Sequence, residues 1–368
     1  MRVLSVFGTR PEAIKLAPVV RQLEATPTIE SCVCVTAQHR EMLDQVLDLF
    51  GITPHYDLDV MRPAQSLAEV TSRVLTGLDP VMSEARPDWV VVQGDTTTAM
   101  AAALASFYHG IRVAHVEAGL RTGNKRHPFP EEINRRIVSV VGDLHLAPTD
   151  TARGNLLREG IPPETIVVTG NPVIDALLAV ADVPYSWADG PLAVVPPGRR
   201  IVLVTAHRRE SFGQPIRDIC AALRCLAERP DVQVVYPVHL NPNIQGPVYE
   251  LLGDVAGVTL LPPLDYLPLV HLMKAAALVL TDSGGLQEEA PSLGKPVLVM
   301  RETTERPEAV AAGTARLVGT NTERIVAGVS RLLDDAAAYE QMARAVNPYG
   351  DGRARYRIVD ALLAAGRH

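Results

Sequence analysis

Short apolar runs alternate with segments of helical composition along almost all of the 368 residues. The runs are short and have no polar face, which is typical of strands that are covered on both sides. Strands that alternate with helices pair in parallel, because each helix returns the chain to the same edge of the sheet. The pattern predicts an α/β fold of parallel sheets with helices on both faces.

One stretch of this pattern brings two strands together with three carboxylates. The apolar run 88–93 is followed by Asp95, the run 111–116 is followed by Glu117, and Glu131 opens the next helix. Ligands of open parallel sheets bind just outside the carboxyl ends of the strands, so the three carboxylates are candidates for one ligand site. The alternative is local, with Asp95 as a helix cap and Glu131 as an acidic residue that favours a helix N-terminus.

The first strand, 3–7, ends in a turn that carries positive charge. Thr9 and Glu12 have the spacing of a capping box, so a helix is expected to begin here. Arg10 and Lys15 then lie near a helix N-terminus, where free N–H groups and cations suit a phosphate; ordinary solvated side chains are the alternative. No Gly-x-Gly-x-x-Gly motif follows the strand, which argues against a nicotinamide dinucleotide.

The second half of the chain repeats the pattern of polar residues at strand ends. The run 201–205 is followed by His207, and the run 276–281 leads to the turn Ser283-Gly284-Gly285. Backbone N–H groups in such a glycine turn can hold a diphosphate. Glu289 lies one turn into the helix that follows and can accept hydrogen bonds from ribose hydroxyls.

Residues 183–200 are rich in Pro and Gly and have no clear periodicity, so the junction between the two halves is expected between about 170 and 200. We predict an N-terminal domain, 1–170, that carries the carboxylates, and a C-terminal domain, 171–352, that binds the nucleotide. The helical segment 353–368 is expected to pack back on the N-terminal domain.

Composition excludes several classes of protein. A net charge of −7 with 4% aromatic residues argues against a nucleic-acid surface, which needs a basic footprint. No run approaches the roughly 18 apolar residues of a membrane span, and Met1 directly precedes the first strand, so no signal peptide is expected. The four cysteines show neither a Cys-x-x-Cys pair nor zinc-site spacing. We expect a cytoplasmic protein without membrane or nucleic-acid partners.

Six separated motifs, in this order, resemble those of the non-hydrolysing bacterial UDP-N-acetylglucosamine 2-epimerases. They are Gly8-Thr9-Arg10-Pro11-Glu12, Gln93-Gly94-Asp95-Thr96, His115-Val116-Glu117-Ala118-Gly119-Leu120-Arg121, Pro130-Glu131-Glu132, His207-Arg208-Arg209-Glu210 and Asp282-Ser283-Gly284-Gly285-Leu286-Gln287-Glu288-Glu289. The resemblance extends to 347–352, close to the whole length. It implies two Rossmann-like domains facing across a cleft, as in the glycosyltransferase-B fold, and a homodimer. It also implies interconversion of UDP-GlcNAc and UDP-ManNAc for cell-envelope polysaccharides.

The chemistry of that reaction calls for the residue types in these motifs. The proton on C2 of the sugar is too weakly acidic for a carboxylate alone, because no ketone is adjacent. Expulsion of UDP from C1 as the proton leaves solves this problem and gives 2-acetamidoglucal. The route needs carboxylates for proton transfer and cations or N–H groups for the departing diphosphate. It requires no metal and no other cofactor, and we expect none, although the site is compatible with a bound sodium ion.

The resemblance assigns roles to individual residues. Asp95, Glu117 and Glu131 are the acid and base candidates, and the sequence does not distinguish which of them acts in which direction. His207 is placed near the diphosphate, together with Arg10, Lys15 and the Ser283-Gly284-Gly285 turn. Glu289 is placed at the ribose. Arg135 lies one helical turn after Glu131 and is expected to pair with it, with a plain surface ion pair as the alternative.

Relatives in this family also bind a second UDP-GlcNAc molecule as an activator beside the active site. The candidate positions in this chain are Gln38, Glu41, Arg208 and His239. Two departures weaken the match, because Glu41 stands where some relatives have Gln and Ala64 where some have Arg. Allosteric activation is therefore an expectation that rests on the remaining positions.

Three other functions fit parts of the pattern. A glycosyltransferase would share the two domains and the nucleotide turn, and transfer of the sugar to an acceptor would identify it. A hydrolysing epimerase would release free ManNAc and UDP. A sensor of nucleotide sugars would bind UDP-GlcNAc without turning it over.

Overall fold

The computed structural model of the chain describes residues 1–36, 40–62 and 65–366, without the side chains of Arg40 and Glu41. It consists of two compact units. Unit 1 comprises Met1–Ala176 and Tyr349–His368, and unit 2 comprises Leu177–Pro348. The corresponding limits predicted from the sequence are 170 and 352.

Strands and helices alternate in the first half of the chain. In order, they are β1 (Arg2–Phe7), α1 (Arg10–Glu24), β2 (Glu30–Val35), α2 (Arg40–Phe50), β3 (Tyr56–Asp57), α3 (Leu67–Ala85), β4 (Trp89–Gln93), α4 (Thr97–Tyr108), β5 (Arg112–Val116), α5 (Glu131–Val141), β6 (Leu144–Ala147), α6 (Asp150–Arg158), β7 (Ile166–Val168) and α7 (Pro172–Ala181). The strands form one seven-stranded sheet in the order β3-β2-β1-β4-β5-β6-β7, with every pair parallel.

The second half repeats this alternation. In order, its elements are β8 (Arg200–Thr205), α8 (Gln214–Ala227), β9 (Val232–Pro237), α9 (Pro242–Leu252), β10 (Val258–Leu261), α10 (Tyr266–Ala275), β11 (Leu278–Thr281), α11 (Gly284–Glu289), β12 (Val297–Val299), α12 (Pro307–Ala311), β13 (Ala315–Leu317), α13 (Thr322–Asp334) and α14 (Ala336–Ala343). A six-stranded parallel sheet has the order β10-β9-β8-β11-β12-β13. The last helix, α15 (Ala354–Ala365), belongs to unit 1 and packs against α1.

Both sheets confirm the predicted α/β class with parallel strands. In each sheet the chain first builds outward from one strand and then returns to that strand's other side. The reversal lies between β1 and β4 in unit 1 and between β8 and β11 in unit 2. Such switch points leave a crevice at the carboxyl ends of the two strands, where open α/β sheets bind ligands.

Local sequence explains how the central elements are built. All five residues of β4 are buried, as the apolar run predicted. The helix that follows, α4, is rich in alanine, and its small side chains allow close packing against the sheet and α3. Helix α1 begins with the predicted capping box, in which the Thr9 side chain bonds to the Glu12 N–H and the Glu12 side chain bonds back to Thr9.

Two short edge strands were not predicted from the sequence. Tyr56–Asp57 pairs with β2 as β3. The three residues of β13, Ala315–Leu317, pair with β12. Strands of two and three residues are too short to show a periodic pattern, and only pairing with a neighbour defines them. None of the helices in the described part of the chain has the length and apolar character needed to cross a membrane.

Candidate active site

Glu12 joins the two turns at the switch point of unit 1. Its Oε2 accepts hydrogen bonds from the backbone N–H groups of Gly8 and Thr9 at 3.0 and 2.8 Å, and its Oε1 accepts one from Thr96 Oγ1 at 2.6 Å. Burial raises the pKa of this carboxyl group, although the hydrogen bonds from Thr96 and Thr9 oppose the shift. The turns after β1 and β4 are therefore fixed relative to each other by one buried side chain.

Asp95 follows β4 at this switch point and pairs with Arg135 of α5 through Oδ2. The backbone carbonyl of Asp95 accepts a second bond from α5, donated by Asn134 Nδ2 at 3.0 Å. Thr96, and not Asp95, caps α4 by accepting from the Ala99 N–H at 3.0 Å. The capping alternative for Asp95 is therefore wrong, and its carboxylate is held by an arginine instead.

Glu117 follows β5 and is surrounded by hydrogen-bond donors. Lys15 Nζ lies 2.7 Å from both carboxylate oxygens, and Asn171 Nδ2 donates to Oε1 at 2.8 Å. Gln93 Nε2 donates to Oε2. Glu117 also has a backbone φ of +65°, a left-handed conformation that non-glycine residues rarely adopt and that costs about 1 to 3 kcal/mol. Strained backbone of this kind is typical of functional sites, where surrounding contacts hold it.

Glu131 is the first residue of α5, and its Oε2 is buried without a hydrogen-bond partner among the described residues. The sequence predicted a pair between Glu131 and Arg135. In the structure Arg135 instead pairs with Asp95 and, at 3.3 Å, with Glu132. Glu132 is fully buried and also accepts from the Thr122 and Gly123 N–H groups at 3.1 and 3.2 Å. Glu132 thus anchors the loop before α5, while Glu131 keeps an unbonded oxygen.

The two cations predicted at the first turn lie on α1. Arg10 is its first residue, and the Lys15 ammonium is bound by Glu117. Lys15 thus has an established partner within unit 1, and its predicted contact with a diphosphate stays a prediction, as does that of Arg10. The structure therefore brings Lys15 together with Glu117, and Asp95 together with Arg135, into one cluster at the strand ends.

In unit 2, His207 follows β8 and its position is fixed by a buried aspartate. Its Nδ1 lies 2.9 Å from Asp282 Oδ1, and its backbone N–H donates to Asp282 Oδ2 at 2.8 Å. Burial raises the pKa of Asp282, but the hydrogen bonds and charge of His207 outweigh this effect, so the net pKa is lowered. Asp282 follows β11, so this pair lies at the switch point of the second sheet.

The Ser283-Gly284-Gly285 turn lies directly after Asp282, and Gly284 begins α11. Glu289, at the end of α11, is buried and accepts a hydrogen bond from the Tyr266 hydroxyl at 2.7 Å through Oε1. Tyr266 thus orients the carboxylate that the resemblance places at the ribose. That role and the diphosphate role of the turn stay predictions.

Of the four positions matched to an activator site, Arg208 and His239 are described, and both lie in unit 2. The His207 and His239 rings stack with centroids 5.7 Å apart. Partial burial, followed by the charge of His207, lowers the pKa of His239. Gln38, Ala64 and the side chain of Glu41 lie outside the described part of the chain.

Three residues that position the site were assigned no role from the sequence. They are Gln93, Asn171 and Asp282. Gln93 and Asp282 lie inside the motifs given above, beside residues that were assigned roles, and this position could have identified them from the sequence. Asn171 precedes α7 and gives no local sign of its contact with Glu117, 54 residues earlier in the chain. Within the described ranges, no group of three or more His, Cys, Asp or Glu side chains is arranged to hold a metal ion.

Comparisons with known proteins identify relatives over nearly the whole chain. A family model described as UDP-N-acetylglucosamine 2-epimerase matches residues 21–363. A UDP-N-acetylglucosamine 2-epimerase from Salmonella typhimurium is 58% identical, with 98% of each chain covered. The crystal structure of UDP-GlcNAc 2-epimerase from Neisseria meningitidis bound to UDP-GlcNAc is 50% identical, with a TM-score of 0.92 and coverage of 99% of this chain and 100% of that one.

A more distant likeness concerns the fold alone. The glycosyltransferase SnogD from Streptomyces nogalater is 18% identical, with a TM-score of 0.58 and coverage of 100% of this chain and 98% of that chain. The two parallel-sheet domains are therefore of the glycosyltransferase-like kind. With the family match over most of its length and these relatives, the chain belongs to the UDP-N-acetylglucosamine 2-epimerase family.

Proposed function

We propose that the protein interconverts UDP-GlcNAc and UDP-ManNAc by inversion at C2, through elimination and re-addition of UDP. The observation that carries the proposal is the cluster of Asp95, Glu117 and Glu131 with its cations at the switch point of unit 1. Carboxylates at this position suit proton transfer on a bound sugar. The Neisseria relative was crystallised with UDP-GlcNAc, which is the substrate proposed for this chain.

In the first step, a carboxylate of unit 1 takes the proton from C2 while the bond between C1 and the UDP oxygen breaks. The electron pair of the C2–H bond forms a C1–C2 double bond, and the diphosphate leaves with the electrons of the C1–O bond. The products are 2-acetamidoglucal and UDP. Return of a proton to the opposite face of C2 and attack of UDP on C1 give the epimer.

The diphosphate gains charge in this step, and unit 2 carries groups suited to receive it. His207 is oriented by Asp282, and the N–H groups of the Ser283-Gly284-Gly285 turn begin α11. Preorganised donors of this kind stabilise a developing negative charge more than water does, because they need no reorganisation. Glu289, held by Tyr266, is proposed to accept from the ribose hydroxyls.

The proposed product is a source of ManNAc-type sugars for cell-envelope polysaccharides, as the family resemblance implies.

We also propose that the chain acts as a homodimer. Sedimentation equilibrium of the purified protein tests this, and a mass near the 39.7 kDa of one chain at micromolar concentration contradicts it.

Proton NMR of the purified protein with UDP-GlcNAc in deuterium oxide tests the reaction. We expect UDP-ManNAc with deuterium at C2 and no lasting accumulation of free UDP. Stoichiometric free ManNAc and UDP would instead assign the protein to the hydrolysing class. Tight binding without turnover would indicate a nucleotide-sugar sensor, or a glycosyltransferase that lacks its acceptor.

A further inference from the structure

The three carboxylates of unit 1 differ in how completely they are bonded. Glu117 accepts two hydrogen bonds from Lys15, one from Gln93 and one from Asn171. An ionised carboxylate offers about four lone-pair sites, so these four bonds fill them. The Glu117 side chain is also only 5% exposed.

Two of the donors around Glu117, Lys15 and Asn171, cannot become acceptors. A lysine ammonium has donors and no acceptor. The amide of Asn171 is fixed in orientation because its Oδ1 accepts the Val173 N–H at 3.1 Å, which leaves Nδ2 facing Glu117. A proton placed on Oε1 would therefore face donors and displace one of them.

Glu131 and Asp95 present the opposite situation. Oε2 of Glu131 is buried without a hydrogen bond in the described part of the chain. A catalytic role is one explanation for a buried polar atom that has no partner within the protein. Asp95 is held by Arg135 through Oδ2, and its side chain is 28% exposed. Glu131 thus has an oxygen without a donor and Asp95 has a partly exposed side chain, whereas Glu117 has neither.

Resting on the proposed epimerase reaction, we propose that Glu117 does not carry the C2 proton. It is a positioning residue, a fixed anion that ties the ends of β4 and β5 to α1 and to the residue before α7. Proton transfer belongs to Glu131 and Asp95. Through Gln93, the bonded network sets the position of the neighbouring Gly94-Asp95 turn.

Charged groups from several elements act around this network. Lys15 faces Glu117 from α1, and Arg135 of α5 pairs with Asp95. Arg121, Arg135 and Glu117 all act electrostatically on His115 of β5. His115 on β5 is fully buried, and its Nε2 bonds to the Gly94 carbonyl at 2.7 Å. Burial lowers the pKa of His115 to about 4, so this ring is neutral well above that pH.

The discriminating experiment removes one donor from Glu117 and follows the pH dependence of kcat. Asn171→Leu removes the donor to Oε1, and Gln93→Leu removes a donor to Oε2. If Glu117 is a fixed anion, each variant lowers kcat by about 10- to 100-fold, the effect of losing a hydrogen bond to a charged group. The acid-side midpoint of the pH profile stays that of the wild type.

The result that overturns the proposal is a rise of that midpoint by about half a pH unit or more. Loss of a donor to the ionised form raises the midpoint of the titrating group itself, so such a shift identifies Glu117 as the proton carrier. Gln233→Leu is the matched control, since Gln233 is also a buried strand glutamine, 2% exposed against 3% for Gln93, but lies in unit 2 and donates to Thr259. This variant measures how much kcat and its pH profile change when a buried amide is lost away from Glu117.

Deuterium incorporation at C2 gives an independent measurement. We expect Glu117→Gln to retain slow exchange at C2 with solvent and Glu131→Gln to lose it. The reverse order overturns the assignment. Absence of C2 exchange in the wild type is a separate outcome, because it contradicts the proposed reaction itself. Asn171→Leu and Gln93→Leu act on different oxygens, so the experiment stands if either variant folds.

Discussion

His207 Nδ1 lies 2.9 Å from Asp282 Oδ1, and Oδ2 of the same carboxylate accepts the backbone N–H groups of His207 and Arg208, each at 2.8 Å. One buried carboxylate thus fixes both the ring and the backbone of the histidine. This arrangement defines which ring nitrogen faces the protein, since Nδ1 faces Asp282 and leaves Nε2 for other partners.

We expect Asp282→Asn to lower kcat by on the order of 10²-fold, because positioned acid–base groups contribute about 10² to 10⁴-fold and a neutral amide would no longer hold the His207 ring as the carboxylate does. Steady-state kinetics with UDP-GlcNAc measures this. Ser211→Ala is the control, because it removes only the 3.2 Å hydroxyl bond to Asp282 Oδ2. Equal losses of kcat in Asp282→Asn and Ser211→Ala would show that the contact between Asp282 and His207 does not cause the effect.

Glu131 and Glu132 are adjacent in the sequence, but we expect substitution of Glu131 to affect catalysis and substitution of Glu132 to affect stability. Glu131→Gln should lower kcat by about 10² to 10⁴-fold with little change in Tm, because its Oε2 has no hydrogen bond to lose among the described residues. Glu132→Gln should lower the free energy of unfolding by about 3 to 5 kcal/mol, because the buried Arg135 loses one anionic partner. Thermal melts and kinetics of the two variants provide the comparison. A large stability loss in Glu131→Gln would contradict this division.

His115 and His145 form neighbouring positions on β5 and β6 and are both buried. Burial lowers the pKa of His145 to about 3, with smaller contributions from His115 and Arg121. In the unfolded chain a histidine titrates near 6.5. The unfolded state therefore binds more protons below pH 6.5, so the stability from the neutral ring is complete above pH 6.5 and declines as the pH falls towards 3.

We expect His145→Leu to reduce the loss of stability on acidification by about 2 kcal/mol at pH 5, since each pH unit below 6.5 corresponds to about 1.4 kcal/mol. Urea denaturation at pH 7.5 and at pH 5 measures the difference. His127→Leu, at an exposed position, should leave the wild-type difference unchanged. If His145→Leu lost as much stability between pH 7.5 and pH 5 as the wild type, the buried ring would not be neutral in the folded protein.

Gly119 lies two residues after Glu117, has a φ of +89°, and a Cβ built on it would lie 2.3 Å from the Ala152 carbonyl oxygen. Gly123 has a φ of +75° with nothing within 4 Å of such a Cβ. Gly123→Ala should cost about 1 to 2 kcal/mol from backbone strain alone. Gly119→Ala should cost more, because α6 must move from the end of β5. Similar melting temperatures for the two variants would contradict the close approach.

The sequence by itself determined the classes of element and the residues at their ends. Runs such as 89–93 are buried strands because no face of them is polar, and the capping box of Thr9 and Glu12 begins α1 through contacts within three residues. These features depend on neighbours along the chain, so they can be read without a structure. The carboxylates at the ends of β4 and β5 were found for this reason.

Only the tertiary structure decided which partner each charged side chain takes. Lys15 binds Glu117 across 102 residues, Arg135 binds Asp95 across 40, and the His207 backbone meets Asp282 across 75. Helical spacing predicted that Arg135 pairs with Glu131. In the structure Asp95, at the end of β4, lies beside α5, and the buried Arg135 pairs with this carboxylate instead. The order of strands in a sheet cannot be predicted from the spacing of residues along the chain, and this order determines which strand ends lie next to each other.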